Sequence, residues 1–229
     1  MRIYGLQKMT LLDFPEHVAC TVFLGGCDFR CPFCHNFELV ENLTDDYMEE
    51  EEFFSFLDKR KGILDGVAIS GGEPCIQKEL KDFIIKIRDK GFLIKLDTNG
   101  YHPGLLAELT DEGLVDYVAM DIKNSLDKYG MTVGVKDLDT RPVEESIKIL
   151  LQGKTEYEFR TTLVKEYHDV SDIAKIGELI KGANKYFLQQ YVCRENVPDK
   201  TLNPPSEEDI KQYLVVLSQN VPNAQARGI

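Results

Sequence analysis

Hydrophobic residues recur in two alternating patterns along the 229-residue chain. Runs rich in β-branched and aromatic residues, typical of buried strands, alternate with segments whose apolar residues return at helical spacing, as Phe53, Phe56 and Leu57 do. The predicted strands are His17–Leu24, Gly66–Ser70, Phe92–Asp97, Val115–Asp121, Tyr157–Val164 and Tyr186–Tyr191. The predicted helices are Glu49–Arg60, Glu79–Lys90, Pro142–Leu151, Val170–Lys181 and Ser206–Ser218.

This alternation predicts an α/β fold in which helices connect parallel strands. Six strand–helix units suit 229 residues better than a full eight-unit barrel, which takes about 250 residues. Two architectures remain open on this pattern, a doubly wound open sheet and an incomplete barrel. In both of them the functional residues follow the C-terminal ends of the strands. No linker or repeat marks a boundary, so we expect a single domain over residues 1–229.

The charge balance excludes some classes of partner. Lys and Arg total 27 against 39 Asp and Glu, a net charge of −12, which argues against nucleic acid and against an anionic membrane surface. No run approaches the ~20 apolar residues of a membrane span, and the first residues do not resemble a secretory signal. We therefore expect a cytoplasmic protein. Its six cysteines are then metal ligands, catalytic thiols or buried apolar residues rather than disulfides.

Three of the cysteines follow the first predicted strand with the spacing Cys-x3-Cys-x2-Cys: Cys27, Cys31 and Cys34. Three thiolates in so short a loop can hold an iron–sulfur cluster of four irons and leave one iron open. The preceding Gly25-Gly26 allows the backbone to approach a bulky group closely. Zinc is the competing interpretation because it also binds thiolates, but it needs a fourth ligand, and the adjacent His35 is awkwardly placed to supply one.

Polar residues also follow the other predicted strands. They are Gly71-Gly72-Glu73-Pro74, Asp97-Thr98-Asn99-Gly100, Met120-Asp121-Ile122-Lys123 and, on the fifth strand, Arg160. Charged groups at the ends of apolar strands are costly unless they serve a ligand, an ion or a partner. Each set alone could be a turn or a structural ion pair. Their occurrence at the same end of five strands indicates a ligand site.

At these residues the sequence resembles the radical S-adenosylmethionine (SAM) superfamily. Cys27, Cys31 and Cys34, with Phe33 as the aromatic position, match its cysteine signature, and Gly71-Gly72-Glu73-Pro74 matches its second motif. The order of Cys34-His35-Asn36, the Asp97–Gly100 motif and the Met120–Lys123 motif is similar to that of the glycyl-radical-enzyme activases. Three more segments resemble the short anaerobic ribonucleoside-triphosphate reductase activating proteins. They are Gly5-Leu6-Gln7-Lys8, Leu12-Asp13-Phe14-Pro15 and Phe23-Leu24-Gly25-Gly26-Cys27.

This resemblance implies an incomplete (β/α)6 barrel with a [4Fe–4S] cluster and SAM. The three cysteines would ligate the cluster, whose open iron is chelated by the amino and carboxylate groups of SAM. The residues that the resemblance assigns to cofactor binding are Phe33 at the adenine, Gly71, Gly72 and Glu73 at the amine, Asp97 at a monovalent cation or the amine, Lys123 at the carboxylate, Asp121 at the ribose or a cation, and Asn99, Arg160 and Gln189 as further contacts.

The implied reaction needs no general acid, base or nucleophile. Reduction of the cluster cleaves SAM to methionine and a 5′-deoxyadenosyl radical, which takes a hydrogen atom from a glycine of a partner glycyl radical enzyme. The expected partner is anaerobic ribonucleoside-triphosphate reductase, with flavodoxin or ferredoxin as the electron donor. The alternatives are an activase of the pyruvate formate-lyase type, a radical SAM enzyme with a small-molecule substrate and a zinc-stabilised binding module.

The other cysteines carry weaker expectations. No cysteine lies between Asn36 and Ser70, so only one cluster is expected. We interpret Cys20 as a buried apolar residue, Cys75 as a residue near the site, and Cys193 as a loop residue without an assigned role.

Two further features stand outside these motifs. His17, His102 and His168 have no identified partners, and surface or capping roles are expected for them. The stretch Asn124–Arg141 is expected to be an irregular loop that contacts the partner's glycine loop. Its deletion should then abolish activation and leave SAM cleavage intact.

Overall fold

A computed structural model of the chain describes residues 1–41 and 46–228. The strands are β1 Arg2–Ile3, β2 Gly5–Thr10, β3 Ala19–Leu24, β4 Met48–Glu49, β5 Gly66–Gly71, β6 Leu93–Thr98, β7 Tyr117–Asp121, β8 Glu156–Leu163, β9 Tyr186–Gln190 and β10 Ala224–Arg227. The α-helices are α1 Phe37–Glu41, α2 Glu50–Asp58, α3 Leu80–Asp89, α4 Pro103–Asp111, α5 Tyr129–Thr132, α6 Arg141–Leu151, α7 Val170–Leu179 and α8 Glu207–Leu217. A 3-10 turn covers Pro74–Ile76.

One sheet organises the molecule, with the strand order β10-β9-β8-β7-β6-β5-β3-β2. Strands β3 to β10 in this sheet pair in parallel, and β2 pairs with β3 antiparallel. The parallel strands follow one another in chain order, whereas a doubly wound sheet reverses its order at a switch point. The sheet ends on β2 and β10 and is therefore not closed. The expected (β/α)6 barrel is confirmed in its incomplete form.

All six predicted strands are present, and the five predicted helices are too, within a few residues at their ends. The start expected at Ser206 is a capping box, in which the Ser206 and Asp209 side chains and backbone N–H groups bond reciprocally.

The sequence pattern missed helix α4, the short helix α1, the edge strands β2 and β10 and the two-residue strands β1 and β4. Helix α4 begins with Pro103-Gly104, a pair that is typical of a turn. The buried side chains of Leu106 and Leu109 nevertheless pack this helix against the core. The expectation of an irregular loop over Asn124–Arg141 was wrong in part, because this stretch contains the single turn α5 and the first residue of α6.

The two faces of the parallel strands differ in chemistry. On β6, Ile94 and Leu96 belong to the large hydrophobic core, while Lys95 and Asp97 project to the opposite face because side chains alternate along a strand. That second face is the inside of the incomplete barrel. Charged side chains on neighbouring strands are thereby brought together inside it.

No helix within residues 1–41 and 46–228 combines the length and the apolar character that crossing a membrane requires.

Candidate active site

A cavity lies where the parallel strands end. The residues that line it come from the cysteine loop after β3 and from the ends of β5 to β9: Cys27, Phe29, Cys31, Phe33, Cys34, His35, Asn36, Val40, Ser70, Gly71, Gly72, Asp97, Thr98, Asn99, Asp121, Lys123, Arg160, Thr162 and Gln189. Twelve of the thirteen site residues expected from sequence are among them. Glu73 is the exception.

The cysteine loop is held in place by backbone contacts from several directions. The N–H of Arg30 donates to the carbonyl of Val133, and the N–H of Asp199 donates to the carbonyl of Pro32. The N–H of Phe29 lies 3.4 Å from Cys27 Sγ, and Asn99 Nδ2 lies 3.8 Å from the same sulfur. The loop is therefore shaped by neighbouring segments before any ligand binds.

Burial governs the chemistry of the three thiols. It raises the pKa of Cys27 to about 11 and the pKa of Cys31 to about 12, and it also raises the pKa of Cys34. Thiolates in this setting need a cationic ligand to stabilise them, so metal binding here releases protons. In the part of the chain that the structure describes, no three His, Cys, Asp or Glu side chains are grouped to hold a single metal ion.

Close backbone packing requires the two glycines at the end of β5. A Cβ atom on Gly72 would lie 2.0 Å from the carbonyl oxygen of Gly26, and one on Gly71, whose φ is +122°, would lie 2.2 Å from the carbonyl oxygen of Leu24. The N–H groups of Gly72 and Glu73 donate to the carbonyls of Leu24 and Gly26. The glycine loop thus lies directly on the start of the cysteine loop.

Glu73 does not line the cavity and is fully buried. Its Oε1 accepts hydrogen bonds from the N–H of Cys75 and the hydroxyl of Thr98, and its Oε2 accepts one from the N–H of Asn99. Burial raises the pKa of this carboxyl, while the three donors oppose that shift. Oε2 accepts a single hydrogen bond here, whereas a carboxylate oxygen can accept two, so the expectation that the Glu73 carboxylate receives a ligand ammonium stays a prediction.

Four charged side chains form the wall opposite the cysteines. Arg160 Nε lies 2.8 Å from Asp121 Oδ1, and Arg160 Nη1 lies 3.5 Å from Asp97 Oδ1. Lys123 Nζ lies 2.9 Å from Asp121 Oδ2. Although burial opposes ionisation, Arg160 and Lys123 hold the pKa of Asp121 well below its usual range. Lys95 and Arg160 lower the pKa of Asp97. The wall is thus fully charged at neutral pH.

The sequence analysis missed several lining residues. Thr162 could have been found, because it lies two residues after Arg160 on the same strand and so faces the same side. His35, Asn36 and Thr98 belong to the motifs themselves, and Phe29 lies inside the cysteine loop, but none of them had been assigned a contact.

The structure also shows the surroundings of two histidines and two cysteines named in the sequence analysis. His102 is the N-cap residue of α4, in line with the expected capping role, and its Nε2 lies 2.8 Å from Asp28 Oδ2. Contrary to expectation, His168 is buried, with Nε2 2.9 Å from the carbonyl oxygen of Lys123. Cys20 is fully buried in β3, as expected. Cys75 is buried as well, with its sulfur 3.7 Å from the Thr98 hydroxyl, and does not line the cavity.

Comparison with known proteins identifies the family. The model of the radical SAM superfamily matches residues 21–179, which is more than half of the chain. The chain belongs to the radical SAM superfamily. It is therefore an enzyme whose cofactors are a [4Fe–4S] cluster and SAM, and this favours the cluster over the zinc alternative.

Similar radical SAM proteins cover nearly the whole chain. A Methanocaldococcus jannaschii protein, provisionally named a glycyl-radical enzyme activating enzyme, is 32% identical over 99% of this chain and 96% of its own length. The pyruvate formate-lyase-activating enzyme of Clostridium pasteurianum is 27% identical over 93% of this chain and 98% of its own. The structure of Streptococcus suis SuiB bound to S-adenosylmethionine superposes with a TM-score of 0.69 at 12% identity, covering 91% of this chain and 52% of that one, which supports the fold alone.

The site's donor set fits these two cofactors. Three thiols on one side of the cavity are the soft ligands that iron–sulfur clusters take. Asp97, Asp121, Lys123 and Arg160 on the other side offer both signs of charge, which suits a ligand that carries an amino group, a carboxylate and a sulfonium. The cavity also presents the apolar faces of Phe29 and Phe33.

Proposed function

We propose that this radical SAM protein activates a glycyl radical enzyme, and that its partner is anaerobic ribonucleoside-triphosphate reductase. The observation that carries the proposal is the cavity in which three thiols face a charged wall. Support for the activase class comes from the nearly full-length relatives named for glycyl-radical activation. The choice of the reductase rests on the N-terminal motifs around Gly5–Lys8 and Phe23–Cys27.

In this proposal Cys27, Cys31 and Cys34 ligate the cluster. When bound, the reduced cluster and SAM supply the radical that removes a hydrogen atom from a glycine of the partner. The protein's own task is to bind, orient and shield. Asn99 lies near the sulfur of Cys27 and tunes that ligand by a hydrogen bond.

The charged wall orients SAM in the proposed complex. Lys123 binds the carboxylate, Gly71 and Gly72 contact the amine through their backbone, and Asp121 contacts the ribose. Since Arg160 already bridges two carboxylates, it acts by fixing the wall. The loop from Cys27 to Cys34 and the residues around Phe33 enclose the adenine and exclude water.

A pyruvate formate-lyase type of partner is the second candidate. It is favoured by relatives such as the pyruvate formate-lyase 1-activating enzyme of Escherichia coli, which is 28% identical over 95% of both chains. Flavodoxin or ferredoxin is proposed as the electron donor. We propose the cytoplasm as the location, because thiols remain reduced there, and a single radical SAM domain over residues 1–229.

The decisive experiment mixes the cluster-loaded protein anaerobically with SAM, a reductant and each partner enzyme in turn. A doublet glycyl radical signal in electron paramagnetic resonance with the reductase, and none with the lyase, supports the proposal. A signal with the lyase alone selects the second candidate. SAM cleavage without a radical on either partner contradicts both.

Cysteine substitutions provide the matched control. Cys31→Ala should lose the cluster of about four irons, its absorption near 400 nm and SAM cleavage. Cys20→Ala removes a buried thiol that lies outside the cavity. It should retain the cluster and the activity, so loss of both in Cys20→Ala would show that the assay reports folding.

A further inference from the structure

An amino group is buried inside the barrel beneath the charged wall. Lys95 lies on β6, two residues before Asp97, and its side chain is only 2% exposed. Its ammonium contacts Oδ1 of Asp97. It does not line the cavity. A lysine is rarely buried in this way unless it is paired, and nothing in the proposed chemistry uses it directly.

Lys95 begins a chain of alternating charges that spans three neighbouring strands. Asp97 Oδ1 is shared by Lys95 and Arg160, and Arg160 continues to Asp121. Lys123 takes the second oxygen of Asp121. Three of the four carboxylate oxygens of the two aspartates are therefore already next to cations that the chain itself supplies.

We propose that Lys95 is a built-in monovalent cation of this site. Its ammonium plays the part of an alkali-metal ion at Asp97, and it neutralises a carboxylate that is only 19% exposed and would otherwise lack a full counter-charge. An ammonium is a compact point charge and can play that part. This proposal deepens the proposed function, on whose assignment of the wall to SAM binding it rests.

Lys95 is thus a positioning residue. By holding Asp97, it keeps Arg160 in place against Asp121 and so shapes the wall without contacting SAM. The protein is then expected to bind SAM equally well with or without potassium. The sequence analysis expected a monovalent cation at Asp97, and the Lys95 ammonium supplies that positive charge.

The test uses the full chain loaded with its cluster. The melting temperature and SAM affinity, the latter by equilibrium dialysis, are measured in potassium chloride, ammonium chloride and choline chloride at equal ionic strength. The wild type should give the same values in all three salts. Lys95→Met should bind SAM about tenfold more weakly in choline chloride. Potassium or ammonium should restore most of that affinity and raise its melting temperature by about 3 °C.

Lys154→Met is the matched control, because Lys154 pairs with Asp111 at 2.7 Å on the surface. It should show no response to potassium. If Lys95→Met does not fold, the variant with both Lys95→Met and Asp97→Asn, which removes both charges, should fold and be insensitive to the salt.

Two results overturn the proposal: potassium raises the melting temperature or the SAM affinity of the wild type, or Lys95→Met behaves like the wild type in choline chloride. Failure of the wild type to bind SAM would contradict the proposed function. The salt dependence of the melting temperature would still decide the role of Lys95.

Discussion

The backbone N–H of Asn99 donates a hydrogen bond to Oε2 of Glu73, with 2.6 Å between the two atoms. Glu73 follows β5 and Asn99 follows β6, so this contact ties together two loops that border the cavity. The carboxylate also accepts hydrogen bonds from the N–H of Cys75 and the hydroxyl of Thr98. One buried side chain therefore fixes the position of the loop after β6 relative to the loop after β5. Asn99, placed in this way, reaches toward the sulfur of Cys27.

Substitution Glu73→Gln tests this relationship. In either orientation the amide NH2 would face a backbone N–H, that of Cys75 or that of Asn99, and leave a buried donor without an acceptor. We expect a loss of about 1–3 kcal/mol in the free energy of unfolding, measured by urea denaturation, together with weaker SAM binding. Glu112→Gln, at an exposed pair with Lys81, should cost less than about 1 kcal/mol. Equal losses in the two variants would contradict a special role for Glu73.

Arg160→Lys tests the bridge between the two aspartates. Lysine keeps the charge but lacks the planar fork that reaches Asp97 and Asp121 at once. We expect about a tenfold loss of SAM affinity with cluster content unchanged, measured by equilibrium dialysis and iron analysis. Arg88→Lys alters an arginine–aspartate pair outside the cavity, with Asp116, and should leave SAM affinity at the wild-type value. The idea fails if Arg160→Lys binds SAM normally.

The buried His168 predicts a pH dependence of stability. Its Nδ1 lies 3.1 Å from both the nitrogen and the carbonyl oxygen of Val164, and its Nε2 lies 2.9 Å from the carbonyl oxygen of Lys123. In the neutral ring, Nδ1 accepts from the Val164 N–H and Nε2 donates to Lys123. Burial lowers the pKa of His168 below the ordinary value of 6.5. Below about pH 6.5 the unfolded chain therefore binds a proton that the native chain does not. As the pH decreases further, the free energy of unfolding falls by up to about 1.4 kcal/mol per pH unit.

This contribution can be isolated by substitution. The free energy of unfolding of His168→Gln, measured in urea from pH 7 to pH 5, should fall less steeply than that of the wild type. His17→Gln, at a partly exposed residue that packs edge-on against Phe14, should keep the wild-type slope. A wild-type slope in His168→Gln would show that other groups carry the acid sensitivity.

The segment that contains α5 refines the expected contact with the partner. Deletion of Asn124–Arg141 is a poor test, because Val133 holds the cysteine loop through Arg30 and the Tyr129 hydroxyl is bonded to the N–H of Lys123. A point change at Met131, whose side chain is 60% exposed, is cleaner. Met131→Asp should lower glycyl radical formation and leave SAM cleavage unchanged, as followed by paramagnetic resonance and by methionine release. Val215→Asp, at a similarly exposed residue of α8, is the control. Equal radical yields in the two variants would remove Met131 from the docking surface.

Much of the architecture was predictable from sequence because its signals are local. The period of apolar residues predicted six parallel strands and five of the helices, and the spacing of Cys27, Cys31 and Cys34 within one loop predicted a ligand set for a cluster. Helix α4 was missed because Pro103 and Gly104 favour a turn in isolation. Only the burial of Leu106 and Leu109 against the core outweighs that preference.

What each charged residue does was decided by the tertiary structure. The sequence determined that Glu73, Lys95 and Asp97 exist near strand ends, but their partners lie on other strands or depend on which face a residue projects from. Register and packing brought the Glu73 carboxylate to the N–H of Asn99 and the Lys95 ammonium to Asp97. Candidate ligands contained in one short loop can be recognised from their spacing, whereas the partner of a buried charge depends on contacts between segments that only folding brings together.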